Sequence, residues 1–179
     1  MVESKIPYDL RKTISIDWTT VSESPETFKL SDGVKLKARL IVTGFRRSEE
    51  HQASGEPYYS WASTSLFTVV DCPASLKGVN TQPPPTPDQI TDPSNSEEIV
   101  DFESTSRQEN WNVYNLIDGT IIRLRLIVQR TTRTRFRDTW GEPLYCISSQ
   151  TVQRLRVAQN LIIKPKPKAA MPESGKPYG

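Results

Sequence analysis

The sequence predicts an all-β fold made of two tandem copies of a small antiparallel β-barrel or sandwich domain joined by a Pro-rich linker. Three observations lead there. Short blocks recur at one spacing, apolar and charged residues alternate with a period of two, and turn signals fall at matching places in each half.

Phe28-Lys29-Leu30-Ser31-Asp32-Gly33 returns as Tyr114-Asn115-Leu116-Ile117-Asp118-Gly119. Arg39-Leu40-Ile41-Val42 returns as Arg125-Leu126-Ile127-Val128, and Gly55-Glu56-Pro57 as Gly141-Glu142-Pro143. All three blocks share one offset, which is expected of duplication followed by divergence and not of chance.

A short strand opens each copy, near Ile14 to Ile16 and near Val100 to Phe102. Residues 18–27 and 104–113 hold at most one helical turn each. Asp32-Gly33 and Asp118-Gly119 then mark tight hairpins, because glycine takes the positive φ of such turns at little cost. After the first turn Leu36, Ala38, Leu40 and Val42 fall on one face, with Lys35, Lys37 and Arg39 on the other. After the second, Ile122, Leu124, Leu126 and Val128 face one way, with Arg123 and Arg125 opposite. This is the period of a half-buried strand. In the second copy the alternation runs on to Arg137, which at about 3.3 Å per residue is roughly 55 Å of strand. Such a strand must bend or bulge, and the expected place is Gln129-Arg130, where the first copy carries Gly44. Gly-Glu-Pro turns the chain into a last strand, Tyr59 to Val70 or Tyr145 to Val157. The bent long strand favours a small barrel.

The expected divisions are an N-terminal extension at 1–13, copy 1 at 14–70, a linker at 71–99, copy 2 at 100–162 and a disordered basic tail at 163–179. The linker contains Thr81-Gln82-Pro83-Pro84-Pro85-Thr86-Pro87, a stiff polyproline composition, and the tail reads Lys-Pro-Lys-Pro-Lys onward.

At 35% hydrophobic and 25% charged residues, the 179-residue chain can build a packed core, and no apolar run reaches the length of a membrane span. The first residues lack the apolar stretch of a secretory signal, so a cytoplasmic protein is expected. Cys72 and Cys146 do not match between copies and suggest neither a disulfide nor a metal site. No cofactor, metal, membrane or small-molecule substrate is expected.

Catalysis finds little support. His51 is the one histidine, and it sits in a polar loop. There is no phosphate loop and no nucleophile elbow. The acids matched at the common offset are Glu23/Glu109, Asp32/Asp118 and Glu56/Glu142, and the last two pairs belong to turns. The protein is therefore expected to be non-enzymatic.

Charge is more informative. Residues 100–156 hold nine arginines against six acids, while residues 14–70 hold six basic residues against seven acids. Arg123, Arg125, Arg133, Arg135 and Arg137 share one register of the long strand, with Trp140 just beyond. Arginine forks bind phosphate, and basic strands flanked by aromatics hold single-stranded nucleic acid. The expected site is this arginine stripe with Trp140, and the expected partner a nucleic acid or nucleoprotein surface. Lys164, Lys166 and Lys168 would add phosphate contacts. The stripe's distal half is expected to be a gain of copy 2, since Glu49 and His51 stand where copy 2 has Arg135 and Arg137. On that view, neutralising Arg133, Arg135 and Arg137 together abolishes anion binding and leaves the fold intact. The competing reading makes the arginines a solvated face, ion-paired across the sheet. The competing function is an assembly protein that works through protein partners or self-association. Among the aromatics, Phe28, Trp61, Phe67, Trp111 and Tyr114 read as core, Tyr59 and Tyr145 as packing residues, and Trp140 as exposed.

Overall fold

The structure, a computed structural model, describes residues 7–79, 83–106 and 109–163. The alternating segments become strands: β1 (Thr13–Ile16), β2 (Trp18–Ser22), β3 (Glu26–Leu30), β4 (Lys35–His51) and β5 (Pro57–Asp71). A one-turn helix α1 (Pro87–Thr91) follows, and then β6 (Ser96–Val100), β7 (Phe102–Ser104), β8 (Asn112–Leu116), β9 (Ile121–Arg137) and β10 (Pro143–Arg156).

Two antiparallel five-stranded sheets result, each built on one long strand. In the first, β4 pairs with β5 on one flank and with β1 and β3 on the other, and β7 lies beyond β3. In the second, β9 pairs with β10 on one flank and with β6 and β8 on the other, and β2 lies beyond β8. The connection pattern is the same, and each sheet takes one strand from the other half of the chain. Trp18 pairs with Leu116 as Phe102 pairs with Leu30. The inward faces of both sheets meet in one core that includes Phe28, Leu36, Phe45, Tyr114, Ile122 and Leu124. Each fully buried side chain of this kind contributes roughly 1.5–3 kcal/mol relative to exposure.

The bend falls where strand length and parity place it. Val128 faces Ser149 and Arg130 faces Ser148, so Gln129 is the extra residue of a bulge. In the first sheet Val42 faces Ser63 and Gly44 faces Ala62, with Thr43 left over.

Four expectations need correction. The sheets stay open and form no barrel, because among the described residues β5 and β10 each have a strand partner on one side only. Residues 18–22, 26–27, 104 and 112–113 are strand, not helical turns, and β2 and β7 complete the opposite sheet. The common offset of 86 holds only from β3 and β8 onward. In the opening strands Ile16 faces Phe45 while Val100 faces Thr131, so the matching residues there lie 84 apart. Finally, the stretch 71–99 is not an extended spacer. Cys72 and Leu76 pack against the core, Gly78 N donates to Gly141 O at 3.0 Å, and β6 begins at Ser96. Helix α1 is held by a capping box between Thr86 and Gln89. Thr81 and Gln82 of the linker, and Lys164, Lys166 and Lys168 of the tail, lie outside the described residues.

Candidate functional site

The Asp-Gly turns do more than reverse the chain. Asp32 Oδ1 accepts from Val34 N within the turn, and its Oδ2 accepts from Tyr145 Oη at 2.8 Å and from Arg133 Nη1 at 3.1 Å. Asp118 does the same from the other side. Its Oδ1 accepts from Thr120 N, and its Oδ2 accepts from Tyr59 Oη at 2.9 Å and from Arg47 Nη1 at 2.8 Å. Each half thus presents a carboxylate to a Tyr–Arg pair of the other half. Burial, reinforced by Asp118, pushes the Tyr59 phenol up to about 12. Tyr145 is pushed up by burial and by Asp32, and Tyr114 by burial and by Glu23, whose Oε1 accepts its hydroxyl proton. These are fixed polar contacts within the protein, with every carboxylate oxygen of Asp32 and Asp118 already accepting.

The arginine stripe is divided by the same contacts. Arg133 is 14% exposed and reaches Asp32, Glu97 at 3.3 Å and Glu98 at 2.7 Å. Arg125 lies between Glu109 at 3.0 Å and Glu26 at 3.6 Å. Arg137 pairs with Glu97 at 3.6 Å and donates to the carbonyls of Thr134 and Phe136. Arg135 is exposed, with its guanidinium 5.4 Å from the centre of the Phe136 ring. Arg123 is exposed and stands directly opposite Arg154, which lies over the Trp111 ring at 4.5 Å. The five arginines therefore do not form one open stripe. Arg125, Arg133 and Arg137 have carboxylate partners, and Arg123 and Arg135 face solvent. Loss of Arg133 would leave Asp32 buried without this cation, so the fold is expected to depend on Arg133. Trp140 is 79% exposed at the turn before β10. Trp111 lies outside the core cluster, held by Arg154 and by its own Nε1 donating to Glu109.

Among the described residues no three His, Cys, Asp or Glu side chains are placed to hold a metal ion. Cys72 and Cys146 are free thiols, and burial raises the Cys72 pKa.

A different feature stands out on the first sheet. Strand β5 carries thirteen residues, Tyr58 to Val70, without a charge, a proline or a glycine. Among the described residues it is paired on one side only. Its odd-numbered residues turn inward, and Trp61, Phe67 and Val69 are only half-buried. Its even-numbered face leaves Leu66 47% and Val70 50% exposed. Two grooves flank the inner side of this edge. One of about 540 Å³ lies at Trp61, with Leu10, Ile16 and Trp18. The other, of about 400 Å³, lies at Phe67 and Val69 and is bordered by Trp140, Leu144 and Ile147. The counterpart edge, β10, is built differently: α1 packs against it, and it carries Arg154 and Arg156.

Two of these features were open to sequence reasoning. Arg47 stands 86 residues before Arg133, so Arg133 belongs to what the halves share. The charge-free run of β5 was visible too, but it reads as core until its neighbours are known. In comparison with known proteins, no family model, curated protein or solved structure matches the chain.

Proposed function

We propose that the chain is a non-catalytic assembly protein, a duplicated β unit that meets protein partners by strand addition at β5. The observation that carries this reading is the long, uncharged, one-sided edge of β5. Exposed strand edges template further strands, and proteins normally blunt them with charge, proline, bulges, short length or a covering helix. Within the described residues the other long edge, β10, has a helix and two arginines, and the remaining edge strands have three to five residues each. Between Tyr58 and Val70 β5 carries neither charge nor proline and is not short; its irregularities among the described residues are the bulge at Thr43 of β4 and Val70 itself, left over where Lys35 faces Asp71 and Leu36 faces Val69. Duplication is supported by the shared connection pattern and by the reciprocal Asp–Arg–Tyr contacts.

A second reading keeps nucleic acid as the partner. It is favoured by one observation: Arg123 and Arg154 face each other across β9 and β10 beside Trp111. Like charges directly opposite each other destabilise a sheet, and Glu109, 3.9 Å from Arg154, offsets only part of the charge of this pair. The two readings separate in a titration of labelled single-stranded DNA and RNA over a salt series. The assembly reading expects no binding even at low salt. Binding that weakens log-linearly with salt would overturn it in favour of the second.

A further inference from the structure

We propose that the strand added to β5 is β5 of a second copy of this chain, paired antiparallel about a twofold axis at Thr64. The inference rests on the assembly reading and names its partner.

The argument is self-complementarity. In an antiparallel pair centred on Thr64, Trp61 lies opposite Phe67, Tyr59 opposite Val69, Ala62 opposite Leu66, and Tyr58 opposite Val70. Every facing pair shares parity, so inward residues meet inward residues and outward residues meet outward ones. No charge meets a like charge, and beside Ala62–Leu66 and the Ser and Thr pairs the facing residues include aromatic–aromatic and aromatic–β-branched pairs, kinds that stabilise sheets. A twofold also relates the two grooves. The Trp61 groove lies toward one end of the strand and the Phe67–Val69 groove toward the other. Antiparallel pairing brings each beside the opposite groove of the second copy, covering the half-buried rings of both. The same pairing between two β10 strands is opposed by α1 and by the charges of Arg154 and Arg156. A closed twofold pair buries both free β5 edges at once, whereas pairing β5 with β10 of the next copy is head-to-tail and closes only as a ring or runs on as a filament.

Thr64 is exposed and outward-facing, so charging it does not disturb the core. The test measures the mass of the full chain in solution, by light scattering or sedimentation, for the wild type, Thr64→Lys, Thr64→Glu and an equimolar mixture of the two variants. The wild type is expected at twice the chain mass. Each variant alone, placing two like charges face to face on the axis, is expected to raise the dissociation constant about 100-fold or more. The mixture is expected to return to the dimer, because Lys then faces Glu. A wild type that stays at the mass of one chain overturns the inference. So does a dimer indifferent to charge at Thr64, which would use another surface, and so does a mixture that stays monomeric. None of these outcomes depends on the nucleic-acid titration, so the inference and the reading beneath it can fail separately.

Discussion

Arg133→Gln should unfold the protein far more readily than Arg135→Gln, although both arginines lie on one strand two residues apart. Asp32 is 5% exposed and Arg133 14%, and their atoms approach to 3.1 Å. Replacing Arg133 removes the one cation that, among the described residues, pairs with Asp32, while Tyr145 still donates to it. It also releases Glu97 and Glu98, which converge on the same guanidinium. Breaking one side of a buried pair costs about 3–5 kcal/mol. In a chain of this size 1 kcal/mol moves the melting temperature by roughly 2–4 °C, so Arg133→Gln should lower it by roughly 10 °C. Arg135 is exposed against Phe136, and its loss should stay within about 0.5 kcal/mol. The triple substitution of Arg133, Arg135 and Arg137 should track Arg133→Gln, with a smaller addition from Arg137. Thermal unfolding followed by circular dichroism, with a urea midpoint as a second measure, decides it. Asp32→Asn combined with Arg133→Gln should cost less than the two single changes summed, because the unpaired charge is gone. A melting temperature for Arg133→Gln within about 2 °C of the wild type would refute the reasoning.

Two further outcomes follow from the turns and the buried phenols. Gly55 and Gly141 have φ near +86° and +78°, and a Cβ would lie 1.9 Å from Ile163 O and 2.2 Å from Gly78 O. Gly55→Ala and Gly141→Ala should therefore each cost more than about 2 kcal/mol by thermal unfolding, while Gly44→Ala, whose Cβ meets nothing within 4 Å, should be nearly neutral. The Tyr59 phenol has a folded pKa of about 12, above the roughly 10 of the unfolded chain. Its contribution is then fully present below about pH 10 and is lost as pH rises toward 12. Urea midpoints should fall over that window, and Tyr59→Phe should flatten the fall; a midpoint unchanged up to about pH 11 would count against it.

The strands, the Asp-Gly turns and the bulge were legible because each is a local matter. Parity tells which residues of β9 face inward, and sheer length demands a break, which falls at Gln129. Strand exchange was not legible. Trp18 to Ser22 and Phe102 to Ser104 are short and only weakly alternating, and nothing in a five-residue segment says which sheet will take it. The two-residue slip between the opening strands hid behind three blocks that agree. For the arginines, alternation gave the face but not the neighbours. Glu97 and Glu98 of β6 and Asp32 of the other half arrive through tertiary pairing, and they turn Arg133 from a surface cation into the centre of a buried cluster.

The halves share their fold but not their edges, and this separates the structural residues from the candidate functional ones. Arg47 and Arg133, Tyr59 and Tyr145, Asp32 and Asp118 make the same contacts in both halves, so selection on folding alone accounts for them. The distal arginines do differ: Arg137 is paired with Glu97, while Arg135 is exposed over Phe136. The two long edges differ too. Shielding an edge needs only a lysine or a proline, and the chain has 14 prolines and 23 basic residues to draw on. None falls between Tyr58 and Val70, while β10 has both a covering helix and arginines. An unshielded strand of that length is an aggregation hazard for a free chain. It is tolerable if the edge is occupied in the working state. On the assembly reading, the difference between β5 and β10 is therefore where the two halves would divide the work.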